Sequence, residues 1–453
     1  MALTQRIRGG VRPHRSGSQA HSSPTGRAES SSVAAALAPL VTAILGSEPP
    51  LRIELWDGSA LGPSAEATPG TLIVRSPDAI RRIMWCPNEL GLGRAYVAGE
   101  LDLEGDIVAM VELLRDATPQ QLRFGGPAVV AAVGAVRRLG LGRRPPPAPP
   151  EEARIHGWRH SLGRDAESVG HHYDVGNDFY RIVLGPTMTY SCARFTDVGN
   201  DLETAQDAKH ELICRKLGLH ERQRARLLDV GCGWGSMAIH AAQHHGASVV
   251  GITLSRPQAD LARERVAAAG LGDRVEIRLQ DYRRLRGEQF DAISSIGMAE
   301  HVGAKNADRY FEILRAALAP HGRLLNHAIS SIGGSRIGRR SFIGRYVFPD
   351  GELLDVADTI RSMERAGFEV RDVESLRQHY ARTLAAWIAN LEDDWDEAVR
   401  LAGPGRARVW RLYMAGSAVG FSDGGVSIQQ VLGVVPDPTG TTGMAATRRA
   451  WEA

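Results

Sequence analysis

Between residues 226 and 329 the apolar positions fall into short blocks separated by polar, helix-spaced stretches. Residues 226–230, 248–254, 275–279, 290–296 and 323–329 read as buried strands, and 236–245, 257–269 and 307–319 as the helices between them. This alternation predicts an α/β fold with a doubly wound, mostly parallel sheet that binds ligands at the carboxyl ends of its strands. Earlier in the chain the pattern changes. LRIELWDGS and GTLIVRS alternate apolar and polar residues like half-buried strands, and SPDAIRRIMW reads as a helix with Ser76 as N-cap and Pro77 at its first position. AYVAGELDLEGDIVAMVELL runs on into a further helix.

These shifts divide the chain. Residues 1–32 are polar, small and basic, and are expected to be a disordered tail. Residues 33–139 are expected to form a small α+β domain. Residues 140–153 carry a proline run, stiff and extended, and read as a linker. The catalytic domain is expected over 154–435, followed by a C-terminal tail at 436–453. No internal repeat is evident. At 453 residues two or three domains are expected.

Charge and cysteine content narrow the function. A net charge of +2 argues against a dedicated nucleic-acid binder. The charge is uneven: residues 1–32 hold five arginines and one glutamate, and 137–144 form a second basic cluster. Cys86, Cys192, Cys214 and Cys232 show no CxxC spacing, which fits a reduced, cytoplasmic protein. No HExxH-type spacing appears, and no metal site is expected. The tail lacks the apolar stretch of a signal peptide. The longest apolar runs, 33–45 and 127–136, fall short of the roughly 20 residues that span a bilayer.

Candidate chemistry gathers at the strand ends. RLLDVGCGWGS, residues 226–236, places Asp229 at the end of the first strand and Gly231, Gly233 and Gly235 in the turn that follows. Glycines there let the backbone turn sharply and approach a ligand closely, as an S-adenosylmethionine site requires. A tight turn without a ligand has the same look. After the second strand the chain offers Thr253, Leu254, Ser255 and Gln258, with no acidic residue for a ribose, which weakens a dinucleotide reading. Asp281 and Tyr282 follow the third strand and are placed to grip an adenine, although an aspartate there equally caps a turn. Glu300 and His301 follow the fourth strand, where capping is the ordinary role of such a pair. His327 lies in the fifth. Before the sheet, residues 171–195 are dense in aromatic residues without helical periodicity. They read as a lid, or as an aromatic-walled pocket able to stabilise a cation.

The segments HHYDVGNDFY, TYSCARF, LLDVGCGWGS, VVGITLSRPQ, DYR, GMAEHVG, NHAI, RYVFPDGEL and HYARTLAAW resemble, in order and spacing, the cyclopropane fatty acid synthases. That family includes the mycolic acid cyclopropane synthases, and the resemblance covers about residues 154–432. SPDAIRRIM and LGLGRAYVAGELDLEGD resemble the N-terminal domain of its longer, phospholipid-acting members. The resemblance implies a Rossmann-like class I methyltransferase domain. It also implies transfer of the S-adenosylmethionine methyl carbon to a cis double bond of a phospholipid acyl chain, through a carbocation that a bound bicarbonate deprotonates to close a cyclopropane. Glu300, His327 and Tyr380 are then expected to hold bicarbonate by side chains, and Cys192 and Ile329 by main chain. Tyr173, Tyr190, Ser191, Asp229, Gly231, Gly233, Gly235, Thr253, Leu254, Gln258, Asp281 and Tyr282 are the expected cofactor residues.

Ala299 departs from the phenylalanine that family members often carry there, which leaves a methylene- or methyl-branched product as the alternative. A non-catalytic lipid-binding protein on the same fold is a second alternative. The expected partners are unsaturated phospholipid chains and a membrane surface at the inner face, reached peripherally through the basic clusters. Residues 33–45 are expected to form an interfacial helix or a helix docked on the small domain. Family members often form homodimers, which is possible here.

Overall fold

The structure, a computed structural model, describes residues 32–117, 127–153, 164, 175–334, 338 and 340–452. The tail expected over residues 1–32, apart from Ser32, and Tyr173 lie outside the described residues.

A four-stranded sheet comes first, from β1 (Arg52–Leu55), β2 (Ala60–Leu61), β3 (Gly70–Val74) and β4 (Leu101–Gly105), in the order β2-β1-β3-β4. Helix Pro77–Trp85 begins as its sequence predicts: Ser76 Oγ accepts from the Asp78 N–H, and Pro77 occupies the first turn where no N–H is needed. Helix Val33–Leu45 buries Val33, Ala34, Ala36, Leu37 and Leu40 in the core, which is the docked alternative of the two expected for it. The proline-rich stretch is strapped down by side chains. Arg82, itself 5% exposed, pairs with Glu100 and donates to the carbonyls of Pro146 and Pro147. Arg94 forks onto Glu152 with two 2.8 Å bonds.

The larger sheet has eight strands: β5 (Arg226–Val230), β6 (Ser248–Thr253), β7 (Val275–Leu279), β8 (Phe290–Ile296), β9 (Leu318–Ser331), β10 (Leu354–Asp355), β11 (Glu369–Ser375) and β12 (Val426–Val434). Its main order is β11-β12-β9-β8-β5-β6-β7, with β10 beside β9. The five strands β5 to β9 run parallel, in the Rossmann-like arrangement expected. The chain moves from β5 outward to β7 and then returns to β8 on the other side of β5. A crevice therefore opens at the carboxyl ends of β5 and β8, where α/β sheets bind their ligands.

Two features go beyond the sequence reading. β9 runs to Ser331, past the end of β8, and β12 and β11 add antiparallel strands at that edge. The 171–195 segment contains a two-turn helix, Asn177–Leu184, burying Phe179, Tyr180, Val183 and Leu184. Two turns are too few for a periodicity to stand out. Helices Arg377–Asp393 and Pro404–Ser422, between β11 and β12, share one hydrophobic core with this helix and with the four-stranded sheet. The last residues fold back, and Trp451 is buried at 3% exposure.

Candidate active site

A cavity of about 150 Å³ occupies the predicted crevice. Of the expected cofactor residues it is lined by Tyr190, Ser191, Asp229, Gly231, Gly233, Thr253, Leu254, Gln258 and Tyr282. Gly231 and Gly233 turn the chain at φ +78° and +53°, in the left-handed region that a side chain makes costly. An added Cβ at Gly233 meets nothing within 4 Å, so the loop backbone is open to a ligand. At the end of β6, Thr253 Oγ1 donates to Gln258 Oε1 at 3.0 Å, and Ser255 caps the next helix through the Gln258 N–H. This fixes Gln258 on the cavity wall. Asp229 is 2% exposed; Ser294 Oγ donates to its Oδ1 at 2.7 Å, while Oδ2 has no partner. Burial pushes its pKa up to about 6. An orphaned buried acceptor beside an open glycine loop fits a cofactor that brings donors of its own.

Two of the expected residues do other work. Gly235 does not line the cavity; a Cβ there would approach Ala262 Cβ at 3.3 Å, so it allows the turn before helix Ser236–His245 to lie close to helix Arg256–Ala268. Asp281 also lies off the lining. Its carboxylate accepts from the Arg283 N–H, Nε and Nη2 at 2.7–2.9 Å. Burial works upward on its pKa, yet these bonds hold it below the usual carboxylate value.

Sequence reasoning missed Lys209 and His210, which line the cavity. Lys209 Nζ donates to Ser191 Oγ at 2.9 Å and lies 3.1 Å from His210 Nε2. Full burial lowers the lysine pKa to about 7. A signal was present: Gln206, Lys209, Ile213 and Lys216 fall on the buried stripe of helix Leu202–Lys216, and a lysine on such a stripe needs a buried partner.

The five expected anion-binding residues lie just beyond this lining. Met298 and His301 border the cavity, and Glu300 sits between them. β8 ends at Ile296 opposite His327, so the Ile329 N–H on that edge of β9 has no strand partner. It donates to Glu300 Oε1 at 2.7 Å. Glu300 Oε2 is buried without a partner, and burial raises the carboxyl pKa to about 7. Main-chain bonds link the remaining members. Leu376 N–H donates to Ile428, the register partner of Ile329; Tyr380 N–H donates to Leu376 O; and the Cys192 thiol reaches the same carbonyl at 3.6 Å. Burial pushes the Cys192 thiol far up, so it is no nucleophile.

The His327 tautomer follows from its neighbours. Lys216, which can only donate, bonds Gln430 Oε1 at 2.9 Å and so turns the Gln430 amide nitrogen toward His327 Nδ1, at 3.3 Å. Nδ1 therefore accepts, and Nε2 carries the proton. Burial holds the ring well below its ordinary pKa, hence neutral, and the Nε2–H is buried without a partner. A carboxylate oxygen and an imidazole N–H are thus both left open in a dry site. Tyr413, also unanticipated, connects the two regions. Its hydroxyl lies 3.2 Å from that of Tyr190, and burial together with the charge of Glu300 pushes it up to about 12. Tyr190 itself lies among Tyr180, Trp387 and Trp410, at ring distances of 5.2–5.8 Å.

Comparison with known proteins agrees with the fold. Residues 160–431 match the family model described as mycolic acid cyclopropane synthetase. The chain is similar to a "probable fatty acid methyltransferase" of Mycobacterium tuberculosis, at 42% identity over 86% of this chain and 92% of that one. It is similar to the cyclopropane-fatty-acyl-phospholipid synthase of Escherichia coli K12, at 34% identity over 83% and 90%. Among solved structures it resembles mycolic acid cyclopropane synthase CmaA1 complexed with SAH and CTAB, with TM-score 0.56, 32% identity, and coverage of 59% of this chain and 98% of that one.

Glu300 provides a test of the electrostatics that is independent of turnover. Its carboxyl ionises near 4.5 in an open chain and near 7 when folded. As pH rises from 4.5 to 7 the unfolded state gives up this proton first, so the native state loses stability, on the order of 3 kcal/mol in all. Glu300→Gln keeps an acceptor for the Ile329 N–H and removes the ionisation. Urea denaturation of the ligand-free protein should show the variant gaining on the wild type between pH 5 and pH 8. A difference that stays constant with pH would mean that Glu300 ionises normally.

Proposed function

The chain belongs to the mycolic acid cyclopropane synthetase family of S-adenosylmethionine-dependent methyltransferases, and from that premise we propose that it converts cis double bonds of phospholipid acyl chains into cyclopropanes. The observation that carries this reading is the pair of open buried atoms, Glu300 Oε2 and His327 Nε2. A bicarbonate ion has both an O–H to donate to a carboxylate and oxygens to accept from an imidazole N–H, and so suits both at once. Glu300, His327 and Tyr380 hold it by side chains, with the main chain of Cys192 and Ile329 beside them. Bound there, bicarbonate supplies the base for the proton lost from the new methyl group. Tyr190 and Ser191, the Asp229–Gly233 turn, Thr253, Leu254, Gln258 and Tyr282 hold S-adenosylmethionine, the methyl donor.

The remaining task of the protein is to exclude water. An alkene is a weak nucleophile and must be held against the sulfonium methyl group. The cation that follows is captured by any nearby water. Aromatic faces of Tyr190, Trp387 and Trp410 stabilise positive charge without attacking it. A second reading, a methylene- or methyl-branched product, is favoured by Ala299 and by the name of the mycobacterial relative.

Among the described residues no helix is long and apolar enough to cross a membrane. We place the enzyme peripherally on the inner face of the membrane, and helix Pro127–Leu139 suits that contact. It exposes Val129, Val130 and Val133 at 40%, 72% and 45%, with Arg137 and Arg138 in its last turn. Each arginine near an anionic surface contributes about 1 kcal/mol.

The deciding experiment is mass spectrometry of lipids from a host rich in cis-unsaturated phospholipids, with and without the protein. The expected product is heavier by one CH2 and no longer behaves as an alkene. The same mass with an alkene retained favours branching, and no product together with no S-adenosylmethionine binding favours a lipid-binding protein. Glu300→Gln is expected to lose at least about 100-fold in turnover while S-adenosylmethionine affinity stays within a few-fold. Depleting bicarbonate should slow the wild type, and adding it back should restore the rate. In sedimentation with anionic vesicles, Val130→Asp combined with Arg137→Ala and Arg138→Ala is expected to bind several-fold more weakly. Equal binding by this variant would remove that helix from the membrane contact.

A further inference from the structure

A second cluster of chemistry lies off the cavity, between two helices. Helix Leu202–Lys216 places Asp207, His210, Glu211 and Cys214 at i, i+3, i+4 and i+7, along one face. Helix Ser236–His245 packs beside it and brings His240, His244 and His245. One ligand atom from each of Cys214, His240 and His245 lies within 4.8 Å of the other two. Cys214 is fully buried, and the side chains of His240 and His245 are 10% and 7% exposed. His240 Nε2 is buried and has no hydrogen-bond partner. Glu211 Oε2 lies 2.8 Å from His245 Nε2 and 3.6 Å from His240 Nε2, and Arg215 fixes the other carboxylate oxygen at 2.6 Å.

We propose that Cys214, His240 and His245 form a zinc site that pins these two helices together, with Glu211 holding His245 as an outer carboxylate. One sulfur and two imidazole nitrogens make a borderline-soft set that suits tetrahedral Zn²⁺ and disfavours Mg²⁺ or Ca²⁺. On binding, the Cys214 thiol releases its proton to solvent and the imidazoles bind in their neutral forms. His240 also belongs to a second trio with Asp207 and His210. There, however, His210 Nε2 is already 3.1 Å from the Lys209 ammonium, which competes for that nitrogen. The three proposed ligands do not line the cofactor cavity, so the metal takes no part in methyl transfer. Its effect is positional. One helix carries Lys209 into the cavity, and the other begins directly after the glycine turn. This inference is independent of the reaction proposed above.

The test titrates the metal-free full chain with Co²⁺ alone and then with Zn²⁺. One Co²⁺ per chain is expected, with the visible bands of a tetrahedral ion and a near-ultraviolet thiolate-to-cobalt band that equimolar Zn²⁺ abolishes. Zn²⁺ should also raise the melting temperature. Cys214→Ser is expected to remove the thiolate band. Because Cys214 is in the core, His240→Gln is the second variant; its nitrogen has no partner to lose, and circular dichroism checks its fold. Co²⁺ affinity should fall at least about 10-fold in that variant. No binding, binding unchanged in His240→Gln, or an octahedral spectrum without the thiolate band would each overturn the site.

Discussion

The hydrogen bond from the Ile329 N–H to Glu300 is the contact on which the proposed chemistry depends. It exists because two neighbouring parallel strands end at different heights. β8 stops at Ile296, opposite His327, and β10 joins this edge of β9 only at Ser330, so Ile329 falls in a gap with no strand beside it on that side. Elsewhere such an edge would be met by water. Here it is buried, and a buried N–H must find an acceptor. The first turn after β8 supplies a carboxylate and holds it in surroundings that keep it short of partners. A group in that position is reactive because it is under-solvated, and its raised pKa reflects the same fact.

A single helix organises the polar groups on both sides of this carboxylate. Lys209 and Lys216 lie seven residues apart on the buried stripe of helix Leu202–Lys216. The first reaches Ser191 in the cofactor cavity. The second reaches Gln430 and, through its amide, orients His327; it also pairs with Asp372 at 3.0 Å. Lys216 is accommodated by fixed oxygen partners, whereas Lys209 has one hydroxyl oxygen and one imidazole nitrogen beside it, and burial lowers its pKa to about 7. The cofactor wall and the proposed anion cradle are therefore set by one rigid element, and a shift of that helix would disturb both.

The sequence made the scaffold legible and the partnerships much less so. Strands β5 to β8, the glycine turn and the strand-end residues were readable because each is local: apolar blocks, a glycine cluster, a residue following a strand. β11, β12 and the longer β9 were not, since antiparallel strands at an edge depend on pairing partners far away in the chain. Gly235 and Asp281 show another kind of partnership that local pattern does not reveal. Gly235 gives close approach to Ala262, and the Asp281 carboxylate is held by Arg283, two residues away. Tyr413 and Gln430 were invisible for the same reason as β12: their significance lies in Tyr190 and His327, respectively 223 and 103 residues away. The histidine cluster escaped because its ligands come from two helices, so no spacing within a single segment reveals it.

The four-stranded sheet is not remote from the site, although the chain places it far away. Helix Pro404–Ser422 turns Trp410 and Tyr413 toward Tyr190, and both are nearly fully buried. Arg408 and Arg411, two residues before Trp410 and Tyr413 respectively, lie on its other side. Arg408 forks onto Asp102 of β4 at 2.8 and 3.1 Å, and Arg411 donates to the Tyr96 hydroxyl and the Leu103 carbonyl at 3.1 and 2.9 Å. Arginines forked onto carboxylate and carbonyl groups constrain the rotation of the helix as well as its position. The rotation matters because aromatic faces stabilise a cation only when they are turned toward it. A wall that must remain dry and correctly facing while an acyl chain enters and leaves needs support from outside the Rossmann-like sheet, and β4 with its arginine partners provides that support.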